Sequence, residues 1–101
     1  MNGKYNNIII LGGDIMTLNN ANVGDEFLIK GFTLNEEAVI LLQNLGIEIG
    51  TILVIKKVTL YLDKPCLIVN ANGLNITLNS NYINNIYGEV LEKGKQFVKT
   101  R

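Results

Sequence analysis

The run Cys66-Leu67-Ile68-Val69-Asn70-Ala71-Asn72-Gly73-Leu74-Asn75-Ile76-Thr77-Leu78-Asn79 decides the fold. Its centre is Asn72-Gly73, the residue pair that a two-residue type I′ hairpin turn demands, because both turn positions need positive φ. After the turn, Leu74, Ile76 and Leu78 alternate with Asn75, Thr77 and Asn79. A period of two puts one side of a strand against a core and the other in water. The pattern therefore predicts two antiparallel strands over 66–71 and 74–79.

Upstream, Thr51-Ile52-Leu53-Val54-Ile55-Lys56-Lys57-Val58 reads as a further β-branched strand, and Leu62-Asp63-Lys64-Pro65 as the turn that follows it. Earlier still, Glu26-Phe27-Leu28-Ile29-Lys30-Gly31-Phe32 sets Phe27, Ile29 and Gly31 on one side and Leu28 on the other, a half-buried strand. Between these strands, Thr33-Leu34-Asn35-Glu36 matches a capping box, with Asn35 as the alternative N-cap. The helix it opens runs to about Leu45, with Leu34, Ala38, Leu41, Leu42 and Leu45 on the expected core face. Gly46 falls where a left-handed C-terminal cap belongs. Downstream, 80–84 is a single helical turn and 86–91 a last short strand.

Strand, helix, three strands, helical turn and strand make a mainly β fold. About five short strands on short connections predict a small SH3-like antiparallel barrel with one inserted α-helix. The domain should occupy 17–92, after an N-terminal extension over 1–16 and before a charged tail over 93–101.

Composition narrows the function. The chain has 101 residues, 48% of them hydrophobic and 18% charged, enough for one core. Nine basic against nine acidic residues leave no net charge, so the basic surface that non-specific nucleic-acid binding needs is absent. With no His and the single Cys66, imidazole or paired-thiolate metal sites cannot be assembled within one chain, nor can an internal disulfide. No cofactor is expected, and without His most nucleophile–base pairs are missing, so the chain is not read as an enzyme. The apolar run nearest the N-terminus, Ile8-Ile9-Ile10-Leu11, is far short of the ~20 residues of a membrane-spanning helix, as is every other apolar run. Gly12, Gly13 and Asp14 break it before it can serve as a secretion signal, which predicts a soluble, cytoplasmic protein. Fifteen Asn, fourteen Ile and eight Lys share AT-rich codons, so the Asn excess follows genome composition rather than an aggregating tract.

Leu11-Gly12-Gly13-Asp14-Ile15-Met16 back-translates to DNA carrying a strong bacterial ribosome-binding sequence just before the Met16 codon. The expectation is a natural start at Met16, with the preceding residues translated leader; the alternative is a genuine extra strand over 8–11.

Val23-Gly24, the helix end Leu42-Gln43-Asn44-Leu45-Gly46-Ile47, Gly50, the hairpin about Asn72-Gly73, Ile76-Thr77-Leu78 and the approach to the last strand at 83–86 occur in the order found in the FeoA domain family. The chain resembles that family over 23–91. The resemblance implies an SH3-like barrel that acts without chemistry, on the cytoplasmic side, with FeoB, a GTPase-linked membrane transporter of Fe(II). The chain itself lacks the Gly-x-x-x-x-Gly-Lys-Ser/Thr loop of nucleotide binding. It also departs from the family pattern, with Val39 in place of a basic helix residue, Leu78-Asn79 in place of Leu-Arg, and a longer turn over 60–65.

The candidate contact residues are few. Val39 and Ile40 lie about 100° and 200° around the helix from Ala38, off the expected core stripe, and with Gln43 they form a face open to the transporter or to a second copy in a homodimer. Tyr61 and Tyr82 are candidates for a peptide groove, or for ordinary packing at a core margin. Glu36-Glu37 is an oxygen-donor pair on paper, but favourable charge at a helix N-terminus explains it better. Asp63 reads as a turn former and Cys66 as a small buried hydrophobe.

Overall fold

The structure, a computed structural model, describes residues 14–92. In chain order its elements are β1 (Met16–Thr17), a single 3-10 turn (Leu18–Asn20), β2 (Glu26–Phe32), α1 (Glu36–Asn44), β3 (Ile52–Tyr61), β4 (Lys64–Ala71), β5 (Leu74–Leu78), α2 (Ser80–Ile83) and β6 (Ile86–Glu92). The strands form one antiparallel sheet in the order β1-β6-β2-β3-β4-β5, with α1 inserted between β2 and β3. This is the small SH3-like arrangement expected, with one strand more. The sixth is β1, whose Met16 and Thr17 pair with Gly88 and Tyr87. The Ile8–Leu11 run lies outside the described residues.

Alternation along the strands builds the core. Phe27 and Ile29 of β2, Leu53 and Ile55 of β3, and Leu67, Val69 and Ala71 of β4 turn to the same interior, joined by Leu18, Ile83 and Ile86. β5 follows only in part: Leu78 is buried and Ile76 half-buried, but Leu74, next to the turn, is exposed. Where β6 crosses β2, Gly88 lies opposite Ile29, beside an irregularity in the β2 register. A Cβ on Gly88 would overlap the Leu28 carbonyl oxygen and come within 2.7 Å of Phe27 Cε2. Only a residue without a side chain lets the two strands approach this closely.

The helix departs from expectation in two respects. Its N-cap is Asn35, whose Oδ1 accepts from the Ala38 N–H at 2.9 Å. Thr33 is engaged elsewhere, donating its hydroxyl to Asn85 Oδ1 at 2.8 Å and its N–H to the Asn85 carbonyl at 2.9 Å, which ties the end of β2 to the turn after α2. The other departure is rotational. Leu42 is the only fully buried residue of α1, flanked by half-buried Ala38 and Val39, whereas Leu41 and Leu45 of the expected stripe are exposed. The C-terminal lock fixes this setting. The Ile47 N–H donates to the Leu42 carbonyl and the Gly46 N–H to the Gln43 carbonyl, both at 2.9 Å, with Gly46 at φ +87°. That pairing is a Schellman motif, which brings the apolar residue after the glycine onto the last turn. Ile47, fully buried, pulls Leu42 inward with it.

The β3–β4 turn is also tighter than 62–65. Leu62 and Asp63 alone form it, at φ +53° and +65°, while Lys64 and Pro65 already pair with Tyr61 and Leu60 as part of β4. Pro65 lies beyond the first β4–β5 pair, Leu67 with Leu78, where no strand asks for the N–H it lacks.

Candidate functional site

Two apolar surfaces stand out on the described residues, and different local physics makes each. On α1, Asn35 and the Schellman lock hold nine helical residues against the barrel, and the burial of Leu42 and Ile47 leaves Ile40 (48% exposed), Leu41 (51%) and Leu45 (39%) in solvent. Gln43 is exposed beside them, and Val39 is half-buried. Of the expected contact face, Ile40 and Gln43 are therefore accessible, while the helix setting turns Val39 partly inward. Sequence reasoning missed Leu41 and Leu45 because it assigned both to the core.

The second surface is the end of the β3–β4 hairpin. β2 pairs with β3 from Ile52 to Val54, and a last pair of backbone bonds links Ile55 to Gly24 and Asp25. On the other side, β5 pairs with β4 from Leu67 onward. Beyond those limits β3 and β4 continue as a two-stranded ribbon, from Thr59 opposite Cys66 to Tyr61 opposite Lys64. It displays Leu60 (68% exposed), Tyr61 (65%) and Leu62 (76%), with Val58 (51%) at its base. A groove of about 240 Å³ lies at its foot, walled by Tyr61, Leu62, Lys64, Cys66, Asn79 and Asn81. Tyr82 is not on that wall; it is half-buried and packs against the core. The structure thus separates the two tyrosines, placing one on the groove and one at the core margin. Cys66 is a free, buried thiol. The signal for this surface was the unbroken Leu60-Tyr61-Leu62 run directly before a turn aspartate.

Charged groups flank both surfaces, with Lys56, Lys57, Asp63 and Lys64 exposed along the hairpin. Glu36 and Glu37 stand exposed in the first turn of α1, where their charge complements the helix dipole. Lys30 and the largely buried Glu89 form an ion pair of 3.5 Å across β2 and β6. Among the described residues no three His, Cys, Asp or Glu side chains gather as a metal site would require. No helix among them is long and apolar enough to cross a membrane. What the surfaces offer is contact area.

No protein-family model matches the sequence, and no curated protein is similar to it in sequence. The fold is more informative. The structure is similar to the solution structure of the FeoA protein from Chlorobium tepidum, with a TM-score of 0.67 at 22% identity over 85% of this chain and 80% of that one. The chain has the FeoA-like fold. A FeoA-like protein from Clostridium acetobutylicum matches with a TM-score of 0.66 at 16% identity, over 84% of this chain and 96% of its own. The crystal structure of an iron uptake regulatory protein, FeoA, matches with a TM-score of 0.63 at 14% identity, over 77% and 99%. The similarity covers nearly the whole length of two of these neighbours.

Proposed function

We propose that this chain is an accessory protein of ferrous-iron uptake that works by binding and carries out no chemistry of its own. The observation that carries the reading is the FeoA-like fold, shared with three solved structures of which one is an iron uptake regulatory protein. In this reading the protein is cytoplasmic and docks on the cytoplasmic side of a FeoB-like membrane transporter. The docking face is the exposed side of α1 with Ile40 and Gln43, joined by Leu41 and Leu45. An apolar face rimmed by Gln43, Asn44 and Glu37 suits a contact that must form and release. Val39 contributes at its edge.

A second reading, an SH3-like module that self-associates, draws on the same exposed leucines and isoleucine, which a second copy would cover equally well. Affinity purification of the chain from membranes of its native host separates the two. Recovery of a GTPase-linked transporter supports the first reading. Recovery of the chain alone, as a dimer, supports the second. Ile40→Lys should leave the melting temperature within a degree or two while weakening whichever association is recovered, because Ile40 is nearly half exposed. A large loss of stability would instead make Ile40 part of the core.

A further inference from the structure

We propose that the tip of the β3–β4 hairpin is a membrane-docking element that inserts shallowly into an anionic lipid surface. This goes beyond the transporter reading and does not depend on it. The apolar tip projects beyond the pairing of β2 and β5. Strand alternation sends the Leu60 and Tyr61 side chains to opposite sides of the ribbon, and Leu62 occupies the turn itself, so the end of the hairpin carries exposed apolar side chains on both sides, with Asp63 and Lys64 beside them. A flat protein partner would cover one side of such a ribbon; a fluid apolar medium covers every side at once.

Charge selects the lipid. Over 56–65 the hairpin carries Lys56, Lys57 and Lys64, all exposed, against Asp63. The acids of α1 and the loop after it, Glu36, Glu37 and Glu48, have no lysine or arginine among them over 33–50. Among the described residues three of the four lysines sit on this hairpin and eight of the nine acids lie outside it, so an anionic surface attracts the hairpin while repelling the helix. The spacing fits. Lys64 sits directly opposite Tyr61, and Lys57 and Lys56 lie four and five residues back from it, about 13–17 Å at ~3.3 Å per residue. Leu60, Tyr61 and Leu62 can thus reach ~5–10 Å into the interface while the lysines stay at the level of the headgroups. Tyrosine is suited to that boundary, and Lys64 can extend its ammonium back toward water along its apolar stem. Asp63 limits the depth, because its carboxylate must remain solvated.

The test uses the absence of tryptophan from the chain. Tyr61→Trp places a sole indole at the tip. Vesicles of mixed phosphatidylcholine and phosphatidylglycerol should shift its emission to the blue, and salt should reverse the shift; pure phosphatidylcholine should leave it unchanged. The native chain should co-sediment with the mixed vesicles. Leu60→Ser with Leu62→Ser should abolish that, with an unchanged melting temperature confirming the fold. Each of Lys56→Gln, Lys57→Gln and Lys64→Gln should lower the partition coefficient about five-fold, and Asp63→Asn should raise it. Absence of any shift with mixed vesicles overturns the proposal, as does binding that persists in the double serine variant. Lipid-free dimerisation that the same double variant dissolves would also overturn it, and would assign the tip to a second copy.

Discussion

The two hairpins that share β4 have the same turn geometry and opposite chemistry. At the β4–β5 end, Asn72 and Gly73 occupy positive φ, +53° and +89°, with residues that tolerate it. Side chains reinforce that turn: Asn70 Oδ1 accepts from the Gly73 N–H at 3.1 Å, and Asn70 Nδ2 donates to Asn75 Oδ1 at 2.8 Å. At the β3–β4 end, Leu62 holds φ +53°, a conformation that costs a β-carbon-bearing residue about 1–2 kcal/mol, and its side chain gains nothing in return because it is 76% exposed. One turn is built for folding. The other places an apolar residue where folding alone would favour Asn or Gly.

That contrast can be broken at three depths. The deepest cut is in the shared strand: Leu67→Ala should cost about 2–5 kcal/mol in denaturant unfolding, because Leu67 is 2% exposed and leaves a cavity. Leu60→Ala, two residue pairs further along the ribbon, should change stability by no more than about 0.5 kcal/mol. If both cost alike, the ribbon is part of the core and the contrast fails. Next, Gly73→Ala should cost about 1–2 kcal/mol through strain alone, since nothing lies within 4 Å of the added Cβ. Urea titration with an unchanged slope would confirm that the loss is local. The smallest effect has the opposite sign. Leu62→Asn with Asp63→Gly converts the projecting turn to the chemistry of its neighbour and should raise stability by about 1 kcal/mol, or ~4–8 °C in melting temperature for a domain of this size. A lower melting temperature would mean that Leu62 makes a packing contact that its exposure conceals.

The legibility of the sequence follows from how local each cause is. Asn72-Gly73, the alternation after it and Gly46 carry their own stereochemistry, so the central hairpin, the helix end and the helical turn at 80–84 could be placed from the residues alone. The rotation of α1 could not. Residues 38–42 are five consecutive apolar positions that sweep the whole circumference at ~100° each, so periodicity cannot choose among them. The choice is made outside the helix, by Ile47 docking on Leu42. β1 was illegible because two residues carry no period; it exists because β6 offers it Gly88 and Tyr87. The FeoA-like resemblance was carried by glycine and leucine spacing, and the fold it implies is shared with structures only 14–22% identical. The contact surfaces were the least legible part. An exposed leucine and a buried one are the same letter, and only tertiary packing separates Leu41 from Leu42.

Asn72-Gly73 has a consequence in chemical time. Asparagine followed by glycine is the dipeptide most prone to deamidation, in which the backbone nitrogen of the glycine attacks the side-chain amide and expels ammonia. Here both reacting groups are occupied: the Gly73 N–H donates to Asn70 Oδ1, and Asn72 Nδ2 donates to the Gly46 carbonyl at 3.3 Å. The attack requires both bonds to open together. The folded chain therefore ages slowly at this bond and the unfolded chain quickly. Once the amide has become a carboxylate, an oxygen faces the Gly46 carbonyl where a donor stood, so each past excursion from the native state leaves a covalent record at the junction of hairpin and helix.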